Sequence, residues 1–164
     1  MGERSNLISV SSIEPSTNSL MAQEISPRLA TIVEALPLRP GMRVLEIGCG
    51  PGVAARAVLE RIGRGHVLAI DRSAKAIVQA TAGSAAELAS GNLEFRCIAV
   101  EDFVLTKGER PYDLAFAVRV GALDGRHPIQ GRIALERLRQ ALARKGRLFI
   151  DGGDPLKEIT LGVA

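Results

Sequence analysis

Short apolar runs alternate with longer amphipathic stretches along most of this chain, and that alternation restricts the fold more than any other feature. The runs at 43–47, 66–71, 93–98, 112–118 and 147–150 are built largely from Val, Ile, Leu, Ala and Phe. A strand that is apolar on both sides must be covered on both sides, which is the situation of a parallel sheet between two helix layers. The crossovers are then right-handed. The expected fold class is α/β: a three-layer open sheet, mainly parallel, of five or six strands with helices on both faces.

The stretches between the runs carry helical spacing. Ala55, Val58, Leu59 and Ile62 predict one face of a helix from the mid-fifties to Ile62. Ser73 is placed to cap a helix over 74–89 with the stripe Ile77, Val78, Thr81, Ala85 and Leu88. A helix over 129–144 is expected to turn Ala134, Leu135, Leu138, Ala141 and Leu142 inward and to stop at Gly146. Upstream, 18–36 reads as a helix interrupted by Pro27. Residues 1–17, rich in Ser, read as a flexible tail, leaving one domain over 18–164. No internal repeat or linker is evident.

With 164 residues, 46% hydrophobic and 24% charged, the chain is long enough for a real core. Only 3% of residues are aromatic, which leaves few rings for stacking bases, so a nucleic-acid partner is not expected. The net charge of +3 is mild. Cys49 and Cys97 lack metal-type spacing and read as buried free thiols; no metal site is expected. No run approaches the ~20 apolar residues of a membrane span, and the start shows no basic-then-apolar leader. The reading is a cytoplasmic protein.

The strongest local signal is VLEIGCGPG at 44–52. It runs from strand through a glycine loop into helix, at the carboxyl end of a strand where open α/β sheets bind ligands. A dinucleotide fingerprint would need a third glycine at position 53, where this chain has Val53. Pro51 further stiffens the loop, so a ligand without a pyrophosphate suits it better. Asp71 ends the second apolar run, where a carboxylate can accept hydrogen bonds from both hydroxyls of a ribose; the lesser alternative is a favourable charge before a helix start.

VLEIGCGPG (44–52) and LAIDRS (68–73) resemble the first two motifs of class I S-adenosylmethionine (SAM)-dependent methyltransferases, a Rossmann-like family. LEFRCIAVEDF (93–103), YDLAFAVRVGAL (112–123) and LARKGRLFID (142–151) continue the resemblance in family order. It implies SAM as co-substrate, methyl transfer, and a set of cofactor-binding residues. Glu46 matches the acid that supports the loop and the methionine amino group. Gly48, Cys49, Gly50 and Gly52 match the loop around methionine and ribose. Asp71 matches the ribose carboxylate, with Arg72 beside the adenine. Val100 and Glu101 match the adenine edge, and Ala117 and Val118 the end of the fourth strand near the methionine. The chain departs from the family at Ile98-Ala99, where many relatives carry Gly-Asp, so Glu101 or Asp102 would have to stand in for that acid. It also leaves room for only one short strand after Asp151, around 158–163, where the family usually has a terminal hairpin. A homodimer that covers the shortened sheet edge is one expectation from this.

A methyl on a sulfonium is already activated, so holding the acceptor in line supplies much of the rate and no single base is required. If a base exists, the loop after the fourth strand is where it should lie. The candidates are His127, Asp124 and Arg119. His127 also reads as a surface histidine before Pro128, Asp124-Gly125 as turn chemistry, and Arg119 as the partner of an anionic substrate or of a nearby carboxylate. The functional expectation is a SAM-dependent methyltransferase with a small-molecule acceptor. The alternatives are a SAM-binding subunit without catalysis and a nicotinamide oxidoreductase.

Overall fold

The computed structural model describes residues 23–162; the tail expected over 1–17 and the first residues of the 18–36 helix lie outside them. The first strand shows how the layers arise. In β1 (Arg43–Ile47) the last four residues are all buried. Val44 joins one apolar cluster, while Leu45 and Ile47 join another on the opposite side of the sheet. Side chains alternate across a strand, so a run buried throughout needs a helix layer on each face. Each Val, Leu or Ile fully buried in this way contributes about 1.5–3 kcal/mol.

The other strands are β2 (His66–Asp71), β3 (Leu93–Cys97), β4 (Tyr112–Ala117), β5 (Leu142–Asp151) and β6 (Leu156–Ile159). They form one six-stranded sheet in the order β3-β2-β1-β4-β5-β6. All pairs are parallel except β5–β6. The order reverses beside β1, so the connections that leave β1 and β4 run to opposite sides, the switch point where an α/β sheet opens a crevice. The helices are α1 (Pro27–Ala35), α2 (Val53–Ile62), α3 (Ala74–Ala82), α4 (Ala85–Ala89) and α5 (Pro128–Ala141). Buried residues of α1 and α2 share one cluster, with Ile77 of α3 and Leu88 of α4 packed against it. Residues of α5 and of a 3-10 turn at Val100–Asp102 share the other. The three-layer α/β expectation is met.

Several boundaries differ for local reasons. Pro27 does not interrupt a helix; it begins α1, where its missing N–H is not needed, and Ser26 caps it by accepting from the Leu29 N–H at 3.3 Å. The helix expected over 74–89 is two helices, split at Gly83-Ser84. Of the expected stripe, Ile77 and Leu88 pack against the core, whereas Val78 is 68% exposed and Ala80, outside the stripe, is buried. Gly146 does not stop a helix. α5 ends at Ala141 and Gly146 lies within β5, where a Cβ would meet Tyr112 and Ala143 carbonyl oxygens at 3.0 and 2.9 Å. The β4–β5 register shifts at this point. Cys49 is buried as expected, but Cys97 is exposed at the end of the edge strand β3.

Candidate functional site

The carboxyl ends of β1 and β2, with the segments that follow β3 and β4, wall a cavity of about 450 Å³. The loop from Gly48 to Gly52 forms part of this region because its backbone is stitched to β2. The Gly48 and Cys49 N–H groups both donate to the Ile70 carbonyl, at 2.8 and 3.0 Å. Gly48 has φ +72°, and a Cβ there would come within 2.7 Å of Val120 Cγ2. Glycine is needed at that point for both the turn and the close approach of the segment after β4. Gly50 and Gly52 also have positive φ. Gly52 is buried against Phe95 and Ala80, on the packing side of the loop.

Asp71 is held at the centre of this arrangement. Its Oδ2 accepts from the Gly50 N–H at 2.9 Å and its Oδ1 from the Ser73 N–H at 2.8 Å. A carboxylate offers about four acceptor positions. Two are occupied by backbone, so capacity for two further donors is left on a side chain that lines the cavity. Asp71 thus caps the turn before α3 and also lines the cavity.

Glu46 lies beneath the loop and is 4% exposed. Burial, followed by repulsion from Asp71, pushes its carboxyl up to about 8; the Ala55 N–H and Arg56 oppose this. Its Oε2 is buried with no hydrogen-bond partner among the described residues. The same burial, with Glu46 and Asp71 nearby, pushes the Cys49 thiol up, so it is no thiolate nucleophile at neutral pH. Arg56, which the sequence reading does not single out, holds the back of the loop. It donates to the Pro51 carbonyl at 3.2 Å and to the buried Ser84 hydroxyl at 2.9 Å. No local motif marks Arg56; its role depends on the α3–α4 break, which the sequence does not show.

Gly48, Asp71, Arg72, Val100 and Glu101 all line the cavity. Ile98 continues the β2–β3 ladder by donating to the Asp71 carbonyl at 2.9 Å, and this places Ala99 in the wall. Glu101 lines the cavity while Asp102 does not, so of the two acids only Glu101 faces it. Glu46, Cys49, Gly50 and Gly52 stand behind the lining surface, and Ala117 and Val118 lie outside it; Ala117 is buried in the core.

The opposite wall is the segment after β4 together with the start of α5. Arg119 and His127 are part of it; Asp124 is not. Asp124 is exposed, and both its oxygens accept from Arg126, one from the backbone N–H at 3.1 Å and one from Nε at 2.7 Å. Arg126 holds its carboxyl below the usual range, which fits the turn reading rather than a base. Arg126, in the loop where a base was expected, and Gln130, which no sequence signal marks, also line the cavity. Arg119 has φ +58°, the one positive φ outside glycine among the described residues. Its backbone N–H donates to Asp151 Oδ1 at 2.9 Å, while Asp151 Oδ2 pairs with Arg28 at 2.9 Å. No cluster of three metal-binding side chains occurs among the described residues. None of their helices is long and apolar enough to cross a membrane.

The chain's likenesses agree with this geometry. The profile of the methyltransferase domain matches residues 44–146. The protein-L-isoaspartate O-methyltransferase of Methylorubrum populi is 38% identical over 127 residues, covering 77% of this chain and 52% of that protein. The protein of the same name from Methylorubrum extorquens is also 38% identical, over 77% of this chain and 49% of its own length. The chain therefore spans about half the length of these curated relatives. Among solved structures, a SAM-dependent methyltransferase from Thiobacillus denitrificans in complex with S-adenosyl-L-homocysteine superposes with a TM-score of 0.59 at 25% identity. That match covers 81% of this chain and 51% of the other. On the profile match over 44–146 and the 38% identity across 77% of its length, the chain belongs to the methyltransferase domain family and has the Rossmann-like fold of its class I, SAM-dependent members.

Proposed function

We propose that this chain binds S-adenosylmethionine in the 450 Å³ cavity and transfers its methyl group to an acceptor that enters beside the segment after β4. The observation that carries the reading is Asp71. Its carboxylate is fixed by the Gly50 and Ser73 N–H groups, lines the crevice, and keeps acceptor capacity for the two hydroxyls of a ribose. The orphaned Glu46 Oε2 fits the same ligand, because a buried acceptor without a donor suits an approaching ammonium group. The sulfonium supplies an activated methyl; the chain's residues supply position. Asp71 would orient the sugar, Gly48 would let the ligand lie against the backbone, and Ala99 to Glu101 would border the adenine. Arg119 and His127, on the far wall, would meet the acceptor.

The support for the acceptor is of two kinds. The relatives' names denote a protein carboxyl group, and the sequence reading favours a small molecule. The cytoplasmic placement and the homodimer belong to this proposal too. Sedimentation velocity tests the homodimer: a single monomeric species would remove it.

Native mass spectrometry of the chain mixed with S-adenosylhomocysteine, with NADH in a parallel sample, tests the donor site. A one-to-one adduct with the nucleoside and none with NADH is expected. Retention of NADH alone would reverse the assignment in favour of an oxidoreductase.

A further inference from the structure

The two loops that flank the switch point are pinned in the same way. The glycine loop leaves β1, and its Gly50 N–H donates at 2.9 Å to Asp71, the last residue of the neighbouring strand β2. The other segment leaves β4, and its Arg119 N–H donates at 2.9 Å to Asp151, the last residue of the neighbouring strand β5. In both cases a strand-end carboxylate holds the backbone that leaves the next strand. Both pinned residues are left-handed, Gly50 at φ +52° and Arg119 at φ +58°. The likeness stops at the residue type. Glycine takes this conformation freely, whereas Arg119 takes it against its own Cβ. A non-glycine residue stays there only where its surroundings hold it.

The bend at Arg119 directs the residues that follow it. Arg119, Val120, Gly121 and Ala122 all line the 450 Å³ cavity. Val120 Cγ2 lies where a Cβ on Gly48 would come within 2.7 Å, so this segment meets the glycine loop across the crevice. The Val120 carbonyl then closes a turn by accepting from the Leu123 and Asp124 N–H groups at 2.9 and 3.2 Å. Asp151 does not line the cavity, although its side chain is only 14% exposed. Its other oxygen pairs with Arg28 of α1, whose side chain is 54% exposed. An ion pair that open contributes little. The contact with the Arg119 backbone is therefore the one through which Asp151 reaches the site.

Resting on the donor-site reading above, we propose that Asp151 is a positioning residue for the nucleoside: by holding Arg119 in its left-handed bend it sets the cavity wall after β4, as Asp71 sets the glycine loop. It touches no ligand and acts through the Arg119 backbone. Without it the bend at Arg119 loses its support, Val120 moves off Gly48, and the crevice opens to water on the side opposite Asp71.

Isothermal titration of S-adenosylhomocysteine into the full chain and a set of variants tests this, with chemical denaturation of each variant alongside. Asp151→Ala should weaken the nucleoside about tenfold, equivalent to roughly 1.4 kcal/mol. Asp151→Asn keeps an oxygen for the Arg119 N–H and should recover most of that loss. Arg28→Ala removes only the ion pair and should stay within about threefold of the unaltered chain. The decisive comparison places Asp151→Ala in an Arg119→Gly background. Glycine holds the bend unaided, so there the second substitution should cost less than about threefold. The same loss in both backgrounds would show that Asp151 acts on the fold at large and would overturn the proposal. Unchanged affinity in Asp151→Ala, or an equal loss in Arg28→Ala, would overturn it too. Should Asp151→Ala fail to fold, Arg119→Val and Arg119→Gly decide instead. Both lack the guanidinium, but only the branched valine resists the bend, so it should bind about tenfold more weakly than the glycine variant. Equal affinity in that pair would count against the proposal. No heat with the nucleoside in the unaltered chain would defeat the donor-site reading itself.

Discussion

At the scale of single residues, the site is a set of buried or strained groups that the fold alone does not require. Glu46 is the plainest case. Its carboxyl is raised from 4.5 to about 8 by burial and by Asp71. A raised acid contributes stability that is full below its unfolded value and is lost as pH rises through its folded one. The expected outcome is a melting temperature that declines between about pH 4.5 and 8, with Glu46→Gln flattening that decline. A cationic nucleoside beside Glu46 should reverse the preference, so binding near neutral pH should release a proton. Calorimetry in buffers of different ionisation enthalpy checks this, and a heat independent of the buffer would count against it. Gly48→Ala makes a separate prediction. Its added Cβ would stand 2.7 Å from Val120 Cγ2 at φ +72°. A loss of about 1–3 kcal/mol is expected, read by chemical denaturation, together with weaker nucleoside binding.

At the scale of elements, the sequence was informative where one local rule decided the outcome. The α2 stripe of Ala55, Val58, Leu59 and Ile62 is buried as its spacing predicts. The loop at 44–52 and Asp71 were legible because glycines and a strand-end carboxylate follow each other in order. The elements misread are those in which distant residues decide. The α3–α4 break at Ser84 is stabilised by Arg56, 28 positions away. The β5 start at Leu142 follows from pairing with Tyr112, and no local pattern carries that information. Arg119's bend depends on Asp151, a strand away. Two predictions belong here. Ser26→Ala removes the cap of α1 and should cost about 1 kcal/mol in denaturation. Glu109 anchors the segment before β4 to Arg96, Tyr112 and Thr106. Burial alone would raise its carboxyl, but those partners outweigh burial and lower it to about 2. Its contribution is present above pH 4.5 and is lost as pH falls towards 2, so Glu109→Gln should blunt the acid limb of the stability profile.

At the scale of the whole molecule, strand order converts these parts into a site. The connections from β1 and β4 leave in opposite directions at the switch point, Gly48 and Asp71 furnish one wall, and the segment after β4 furnishes the other. One edge of the described sheet is β6, a short antiparallel strand carrying Lys157 and Glu158. What the account needs above all is a sugar held by Asp71. Isothermal titration of S-adenosylhomocysteine into the unaltered chain and into Asp71→Ala measures that most directly. Loss of hydrogen bonds to a charged acceptor, worth roughly 1.5–3 kcal/mol each, should weaken affinity by about tenfold or more. Equal affinity in the two proteins would contradict the claim.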